Sequence, residues 1–191
     1  MDIEKLTEEI NAYCKKTLSE KRYSHSLRVA DMCCEIAELS GYDKKKAYLA
    51  GLAHDICKEL PKPEMRKMVE DAGYTVTDYE IQNPTLLHGK AGAIFLKDRF
   101  GLEDEEILTA VAGHVSGTME KPPLGMILYI ADKNERGREH ITEEYLKELY
   151  TKPVREMFAY AVETSVKYLL KKGYVIYEET YKMMDELGIK L

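Results

Sequence analysis

The sequence predicts an all-α protein, a bundle of roughly eight or more helices. Apolar residues recur at helical spacing, alternation of apolar and polar residues is weak, and prolines and glycines fall between the periodic stretches. The length of 191 residues suits one domain with a sizeable buried core. We therefore expect a single domain over 1–191, with its motif-bearing core at about 22–138 and C-terminal helices packed on that core.

The segment 22–39 carries apolar residues on two sides of the predicted helix and leaves only a narrow polar band. One stripe consists of Tyr23, Leu27, Ala30, Cys34 and Ala37. The opposite stripe consists of His25, Val29, Met32 and Ile36. A helix with two apolar sides is typical of a central, buried position, so we expect His25 to lie on a buried face.

Further helices are predicted in chain order, each bounded by proline, glycine or a capping residue. They run from about 43 to the His-Asp pair at 54–55, near 63–72, over 86–100 and from Asp104 through His114. Two more follow, one after Pro122 and Pro123 that ends at Asp132, and one from Pro153 that ends near Lys171, Lys172 and Gly173. The stretch "YVIY" at 174–177 is the one weak candidate for a strand.

Composition and charge restrict the classes of function. The net charge of -6 disfavours a role that needs a basic surface along a nucleic-acid backbone. The N-terminal "MDIEKLTEEI" is acidic and lacks the apolar segment of a signal peptide, and no apolar run approaches a membrane span. The four cysteines form no C-x-x-C pair and are typical of reduced, mostly buried thiols. We expect a cytoplasmic protein without membrane or nucleic-acid partners.

Histidines and aspartates on apolar helix faces form the most informative pattern. A buried carboxylate costs several kcal/mol unless a cation or hydrogen bonds compensate it, and a divalent metal with imidazole ligands does so well. Long gaps between these residues place them on different helices, which a helical core can bring together. The candidate metal ligands are His25, His54, Asp55, His88, His114 and Asp132.

The adjacent pair His54 and Asp55 sets a geometric condition. Neighbouring residues on a helix differ by about 100°, so both reach one ion only at a helix end or bend, and Pro61 and Pro63 fit such an end. Asp55, with two oxygens, could also bridge two ions. A single buried histidine is more often a hydrogen-bonded core residue, but the joint pattern favours a metal site. His140, in a charged segment, is expected at the surface.

Five stretches occur in one order between 22 and 138: "RYSHSLRVA", "LAHDICKELP", "NPTLLHGKAGA", "GHVSG" and "LYIADKNERGR". Together they resemble the HD-domain metal-dependent phosphohydrolases. More closely, they resemble the YqeK-type branch of symmetrical bis(5'-nucleosyl)-tetraphosphatases. The resemblance implies an HD-domain helical bundle that holds two divalent ions, typically iron, with manganese or zinc as alternatives. It implies His25, His54 and Asp132 on one ion, His88 and His114 on the other, and Asp55 as the bridge.

The resemblance also implies an activity, the symmetrical hydrolysis of diadenosine tetraphosphate to two ADP, with a hydroxide that bridges the ions as nucleophile. Asp55 and Lys58 are then the expected catalytic residues. The chain departs from the family pattern near Lys90, at Val115 and Ser116, and at Arg136, in loops expected to face substrate. The expected substrate-binding residues are Lys58, Arg22, Lys90, Ser116, Arg136 and Arg138. A homodimer is compatible with this assignment.

Three alternatives stay open from the sequence. Another HD phosphohydrolase could act on nucleoside monophosphates, triphosphates or cyclic dinucleotides. A non-catalytic nucleotide or metal sensor could keep the ligands without turnover. A helical scaffold with buried histidines would carry no stoichiometric metal. Lys58 itself could be a solvated lysine at a helix end.

Overall fold

The computed structural model describes residues 2–117, 123–139 and 141–190, and the regular structure within these ranges is helical. The all-α prediction is confirmed. The eleven α-helices found in the described ranges are α1 (Ile3–Thr17), α2 (Glu20–Ser40), α3 (Lys44–Ala53), α4 (Lys62–Asp71), α5 (Asp78–Gln82), α6 (His88–Phe100), α7 (Glu105–Gly113), α8 (Leu124–Asn134), α9 (Glu143–Leu149), α10 (Val154–Lys171) and α11 (Glu178–Leu187). A 3₁₀ turn, Pro84–Leu87, leads into α6.

The strand candidate at 174–177 is wrong. This segment is an irregular connection between α10 and α11. Tyr174 and Val175 are 62% and 74% exposed, so only Ile176 packs into the core. The hydroxyl of Tyr79 donates to the carbonyl oxygen of Val175. The apolar "YVIY" run therefore contains one buried residue, Ile176, in an irregular segment and does not form a strand.

Helix α2 is the central element, as its two apolar stripes predict. It packs against α3 and α8, and all four residues of the stripe that contains His25 are buried. On the other side Ala30 and Ala37 are fully buried, while the longer Tyr23 and Leu27 reach the surface in part. Because both sides of α2 are covered, a side chain near its N-terminus can point into the protein interior.

The contact between α2 and α3 depends on small residues. A Cβ atom placed on Gly51 would lie 2.6 Å from the Cα of Ala30 and 2.9 Å from its backbone nitrogen. Glycine therefore lets the two helix backbones approach closely. The second half of α3 is buried up to Ala53, and the helix ends there. The next two residues, His54 and Asp55, consequently emerge in the middle of the core.

The C-terminal helices complete the core through the contact of α10 with α8 and of α11 with α10. Helix α10 packs directly on α8, where the rings of Tyr129 and Phe158 meet edge to face at 5.3 Å. Met183 and Met184 of α11 are buried in the same cluster. All four cysteines are free thiols, and only Cys34 is not buried, as the sequence predicts. Within the described ranges, no helix combines the length and apolarity that crossing a membrane requires.

Gly51→Ala tests the close approach of α2 and α3. The new methyl group would overlap backbone atoms that cannot rotate away, so we expect a loss of about 3 kcal/mol in the free energy of unfolding. Gly92→Ala on α6 is the matched control, since its Cβ would meet only side-chain atoms at 3.4–3.5 Å and a carbonyl at 3.8 Å. The control should stay within about 1 kcal/mol of the wild type. Urea denaturation measures both, and equal effects would contradict this packing.

Candidate metal centre

Six side chains from five helices or their ends meet at one buried point. His25 lies in the second turn of α2, and Asp132 lies near the end of α8. His54 and His114 directly follow the last residues of α3 and α7, and His88 begins α6. The six predicted ligands are between 0% and 7% exposed: His25, His54, Asp55, His88, His114 and Asp132. The structure thus brings the whole predicted set together.

Asp55 lies at the middle of the cluster, and its two oxygens face different histidines. Its Oδ2 is 3.4 Å from Nε2 of His54 and 3.8 Å from Nε2 of His25. Its Oδ1 is 3.1 Å from Nε2 of His88 and 3.7 Å from Nε2 of His114. Two groups of three possible metal ligands result, each with ligand atoms within 4.8 Å of one another, and they share Asp55.

Asp132 adds a second carboxylate to one side of the cluster only. Its Oδ1 is 3.2 Å from Nε2 of His25 and 3.9 Å from Nε2 of His54. The side of His25 and His54 therefore has two carboxylates within reach, whereas Asp55 is the one described carboxylate within 4 Å of His88 and His114.

Helix ends orient three of the four imidazoles. Nδ1 of His54 donates to the carbonyl oxygen of Gly51 at 2.6 Å, and Nδ1 of His114 donates to that of Val111 at 2.7 Å. Nδ1 of His88 bonds in the same way to the carbonyl oxygen three residues before it. The last carbonyls of a helix lack intrahelical partners, so they are available for these bonds. Because a carbonyl only accepts, the proton lies on Nδ1, and Nε2 presents its lone pair to the cluster.

This arrangement of lone pairs fits a divalent metal. Nε2 of His88 lies 3.0 Å from Nε2 of His114, so two electron-rich nitrogens face each other. The buried Nε2 of His54 has no hydrogen-bond partner. A cation among these atoms would relieve the repulsion and satisfy the lone pairs, and imidazole with carboxylate suits first-row transition metals. The residues present are those that a divalent metal site requires.

Burial and charge set the protonation states that such a site needs. Burial lowers the pKa of His114 to about 4, and burial also lowers the pKa of His88. Both imidazoles are therefore neutral ligands near pH 7. Burial alone would raise the pKa of the Asp55 carboxyl, but its histidine neighbours hold that pKa well below the usual value. Burial would lower the pKa of His25, yet its carboxylate neighbours raise it above the usual value.

Three of the predicted substrate-binding cations border the cluster. Nη1 of Arg22 is 2.6 Å from Oδ2 of Asp55, and Nη2 of Arg138 is 3.1 Å from Oδ1 of Asp132. Nζ of Lys58 is 3.1 Å from Nε2 of His88 and 3.9 Å from Oδ1 of Asp55. These cationic side chains are partly exposed, so they connect the buried cluster with solvent.

The other three predicted substrate-binding residues lie elsewhere. Lys90 pairs with the buried Glu80 at 2.6 Å, and together with Ser116 it lines a cavity of about 760 Å³ whose described lining includes none of the six cluster residues. Arg136 pairs with Glu35 at 2.7 Å on the outside of α2. The described contacts of these residues do not join them to the cluster. His140 falls outside the described residues.

Two residues next to the cluster were missed in the sequence. Nζ of Lys133 is 2.7 Å from Oδ2 of Asp132, and Glu135 contacts Nδ1 of His25 at 3.2 Å. Both belong to the charged run "KNERGRE", whose composition is typical of a solvated turn. Glu135 is nevertheless buried, and its hydrogen bonds with His25 and Arg28 help to lower its pKa to about 2 against the effect of burial. The available signals were its position three residues after a predicted ligand and its place directly before Arg136, where the chain departs from the family pattern.

Comparisons with known proteins find a matching family model, related sequences and a similar solved structure. The HD domain model matches residues 22–137. The chain is 31% identical to a symmetrical bis(5'-nucleosyl)-tetraphosphatase of Bacillus subtilis, covering 91% of this chain and 93% of the relative. It is also 31% identical to the Staphylococcus aureus protein of that name, covering 93% of this chain and 92% of the relative. The chain is also similar to a solved structure from Clostridium acetobutylicum, described as a predicted HD superfamily hydrolase involved in NAD metabolism. The two superimpose with a TM-score of 0.86 at 33% identity, covering 94% of this chain and 95% of the other.

The stability of the metal-free protein should fall on acidification. An unfolded histidine takes up a proton near pH 6.5, whereas folded His114 does so only at about pH 4. Between these values the unfolded state binds more protons, so stability is lost as the pH falls. His88 acts in the same direction and His25 in the opposite one, because its folded pKa is raised.

Urea denaturation in the presence of a chelator measures this dependence. We expect the free energy of unfolding at pH 5 to be about 2 kcal/mol lower than at pH 7.5, the size of the His114 contribution. His114→Gln should reduce the slope between these values, whatever its effect at pH 7.5. A stability that increases towards pH 5 would contradict the assignment of a neutral, buried His114.

Proposed function

The chain belongs to the HD-domain family, and within it to the branch of the symmetrical bis(5'-nucleosyl)-tetraphosphatases, and we propose that it hydrolyses diadenosine tetraphosphate to two ADP. One observation of the structure carries this proposal: the two oxygens of buried Asp55 each face a pair of histidines. That geometry supports a centre able to act on a phosphoric anhydride.

We assign the cluster to two divalent ions. His25, His54, Asp132 and Oδ2 of Asp55 would hold one, and His88, His114 and Oδ1 of Asp55 the other. Iron is the expected metal, with manganese or zinc as alternatives. When bound, such ions activate water and neutralise charge on the phosphoryl oxygens.

The protein's own residues prepare the site for a polyphosphate. The three cationic groups of Arg22, Lys58 and Arg138 lie around the two carboxylates and are partly exposed, so they attract and orient an anionic substrate. Lys58 supplies a compact point charge beside Asp55 and His88, where a phosphoryl group on the cluster would lie. Burial removes part of the hydration of this ammonium and so lowers its pKa, while the charge of Asp55 acts in the opposite direction.

The C-terminal helices contribute to the same centre indirectly, through their packing on α8. Helix α8 carries Asp132 and is buried over most of its length, and it contacts α2, α3, α7 and α10. We propose that residues 1–191 act as one domain, because removing α10 would expose the helix that positions Asp132.

The position of bond cleavage decides between symmetrical and asymmetrical hydrolysis. Attack of water on an inner phosphorus, with departure of the other half of the molecule as ADP, gives two ADP. Attack on an outer phosphorus gives AMP and ATP. The symmetrical cut is supported by the names of the relatives, which the chain matches over nearly its whole length.

Product analysis tests the proposed function. Iron- or manganese-loaded protein is incubated with diadenosine tetraphosphate in water enriched in oxygen-18. The early products are separated by chromatography, and their masses are measured by mass spectrometry. We expect ADP alone, with one labelled oxygen in half of the molecules. Asp55→Ala should be inactive, and Asp31→Ala, at an exposed position of α2, should be unaffected. AMP and ATP in equal amounts, or no cleavage, would contradict the proposal.

Lys58→Met tests the role of the lysine in substrate turnover. Methionine keeps much of the apolar stem, so thermal stability should change little. The value of kcat/KM should fall at least tenfold, which corresponds to about 1.4 kcal/mol of transition-state stabilisation. Lys62→Met, at an exposed position of α4, is the control and should match the wild type. Unchanged kinetics in Lys58→Met would identify Lys58 as a solvated lysine.

A further inference from the structure

The four imidazoles of the cluster are not supported alike. His54, His88 and His114 each bond through Nδ1 to a backbone carbonyl. His25 instead has a carboxylate behind it, since its Nδ1 lies 3.2 Å from Oε1 of Glu135. A carboxylate that accepts the Nδ1 proton orients the ring and makes Nε2 a stronger donor to a metal.

Glu135 is itself held firmly. It is 2% exposed, and its Oε2 accepts hydrogen bonds from Nε of Arg28 and from the backbone nitrogen of Gly137. A Cβ on Gly137 would overlap the guanidinium of Arg28 as it is placed here, so glycine leaves room for Arg28 beside Glu135. The carboxylate is therefore fixed and charged, and its position relative to His25 is not left to a flexible side chain.

The two sides of the cluster also differ in ligands and charge. On one side stand two imidazoles, Asp132 and an oxygen of Asp55. On the other stand two imidazoles and the second oxygen of Asp55, and the ammonium of Lys58 is 3.1 Å from Nε2 of His88. Cations border both sides, since Arg22, Lys133 and Arg138 pair with the carboxylates of the first side. The first side nevertheless offers a divalent ion four ligand groups against three, because it has a carboxylate of its own.

We infer that the two metal positions are unequal, and that Glu135 is the positioning residue that strengthens the one formed by His25, His54 and Asp132. This inference rests on the two-ion assignment of the proposed function. The metal position formed by His25, His54 and Asp132 binds its ion first. The position of His88 and His114 binds its ion more weakly, and an anionic substrate would strengthen it by adding the negative charge that the protein does not supply there.

Titration of the metal-free protein with Mn²⁺ tests the inference without using activity. Isothermal calorimetry, with electron paramagnetic resonance of free Mn²⁺, should show two binding events in the wild type, at least tenfold apart in affinity. Glu135→Gln lacks the charge and has one acceptor oxygen in place of two, so it cannot accept from both His25 and Arg28. It should weaken the tighter event about ten- to hundredfold and leave the weaker event unchanged.

Two further variants complete the experiment. Arg28→Lys keeps a positive charge but loses the Nε donor to Glu135, so it should weaken the same event by a smaller factor. Arg28→Lys also provides the test of the inference if Glu135→Gln does not fold. Glu143→Gln removes an exposed carboxylate that pairs with Arg136 and should bind Mn²⁺ like the wild type.

The outcomes separate the two hypotheses. Two events that Glu135→Gln weakens equally, or does not weaken, would overturn the inference and leave the two-ion hydrolase intact. A single binding event in the wild type would overturn the two-ion assignment and the inference with it. The analysis of products from diadenosine tetraphosphate then decides independently whether the hydrolase assignment itself holds.

Discussion

The structure depends on how two carboxylates are accommodated in an apolar helical core. Asp55 and Asp132 are almost fully buried, and an isolated charge at such a position would cost several kcal/mol. The fold compensates this cost by placing imidazole nitrogens and cationic side chains beside both carboxylates. The packing of α2 against α3 at Gly51 and the burial of α8 serve this purpose, because they deliver the two aspartates and two of the histidines to one point.

Helix termini are the second constraint. A helix interior would direct adjacent side chains about 100° apart and would leave no free carbonyl to orient an imidazole. At the ends of α3 and α7 and at the start of α6, a histidine bonds to the carbonyl three residues before it. One local motif thus fixes both the direction and the tautomer of three rings. This explains why the His-Asp pair occurs where α3 stops and not in its middle.

The sequence predicted the parts of this arrangement that follow from burial and periodicity. Histidines and aspartates on apolar faces identified the cluster, and a family resemblance suggested its partition. Side-chain direction was less accessible: Lys90 is two residues after His88, which turns it about 200° around α6, so it faces a different cavity. Lys133 and Glu135 were missed because burial within a charged run leaves no compositional signal. The apolar "YVIY" segment misled because a single buried Ile176 resembles part of a strand.

The cations beside the carboxylates have a consequence for how the protein matures. Nη1 of Arg22 and Nζ of Lys133 lie 2.6 Å and 2.7 Å from oxygens of Asp55 and Asp132, so the buried charges have counterions before any metal arrives. Small metal-dependent domains often cannot fold without their ion. Because this chain supplies its own counterions, we expect it to fold without an ion and to acquire metal afterwards.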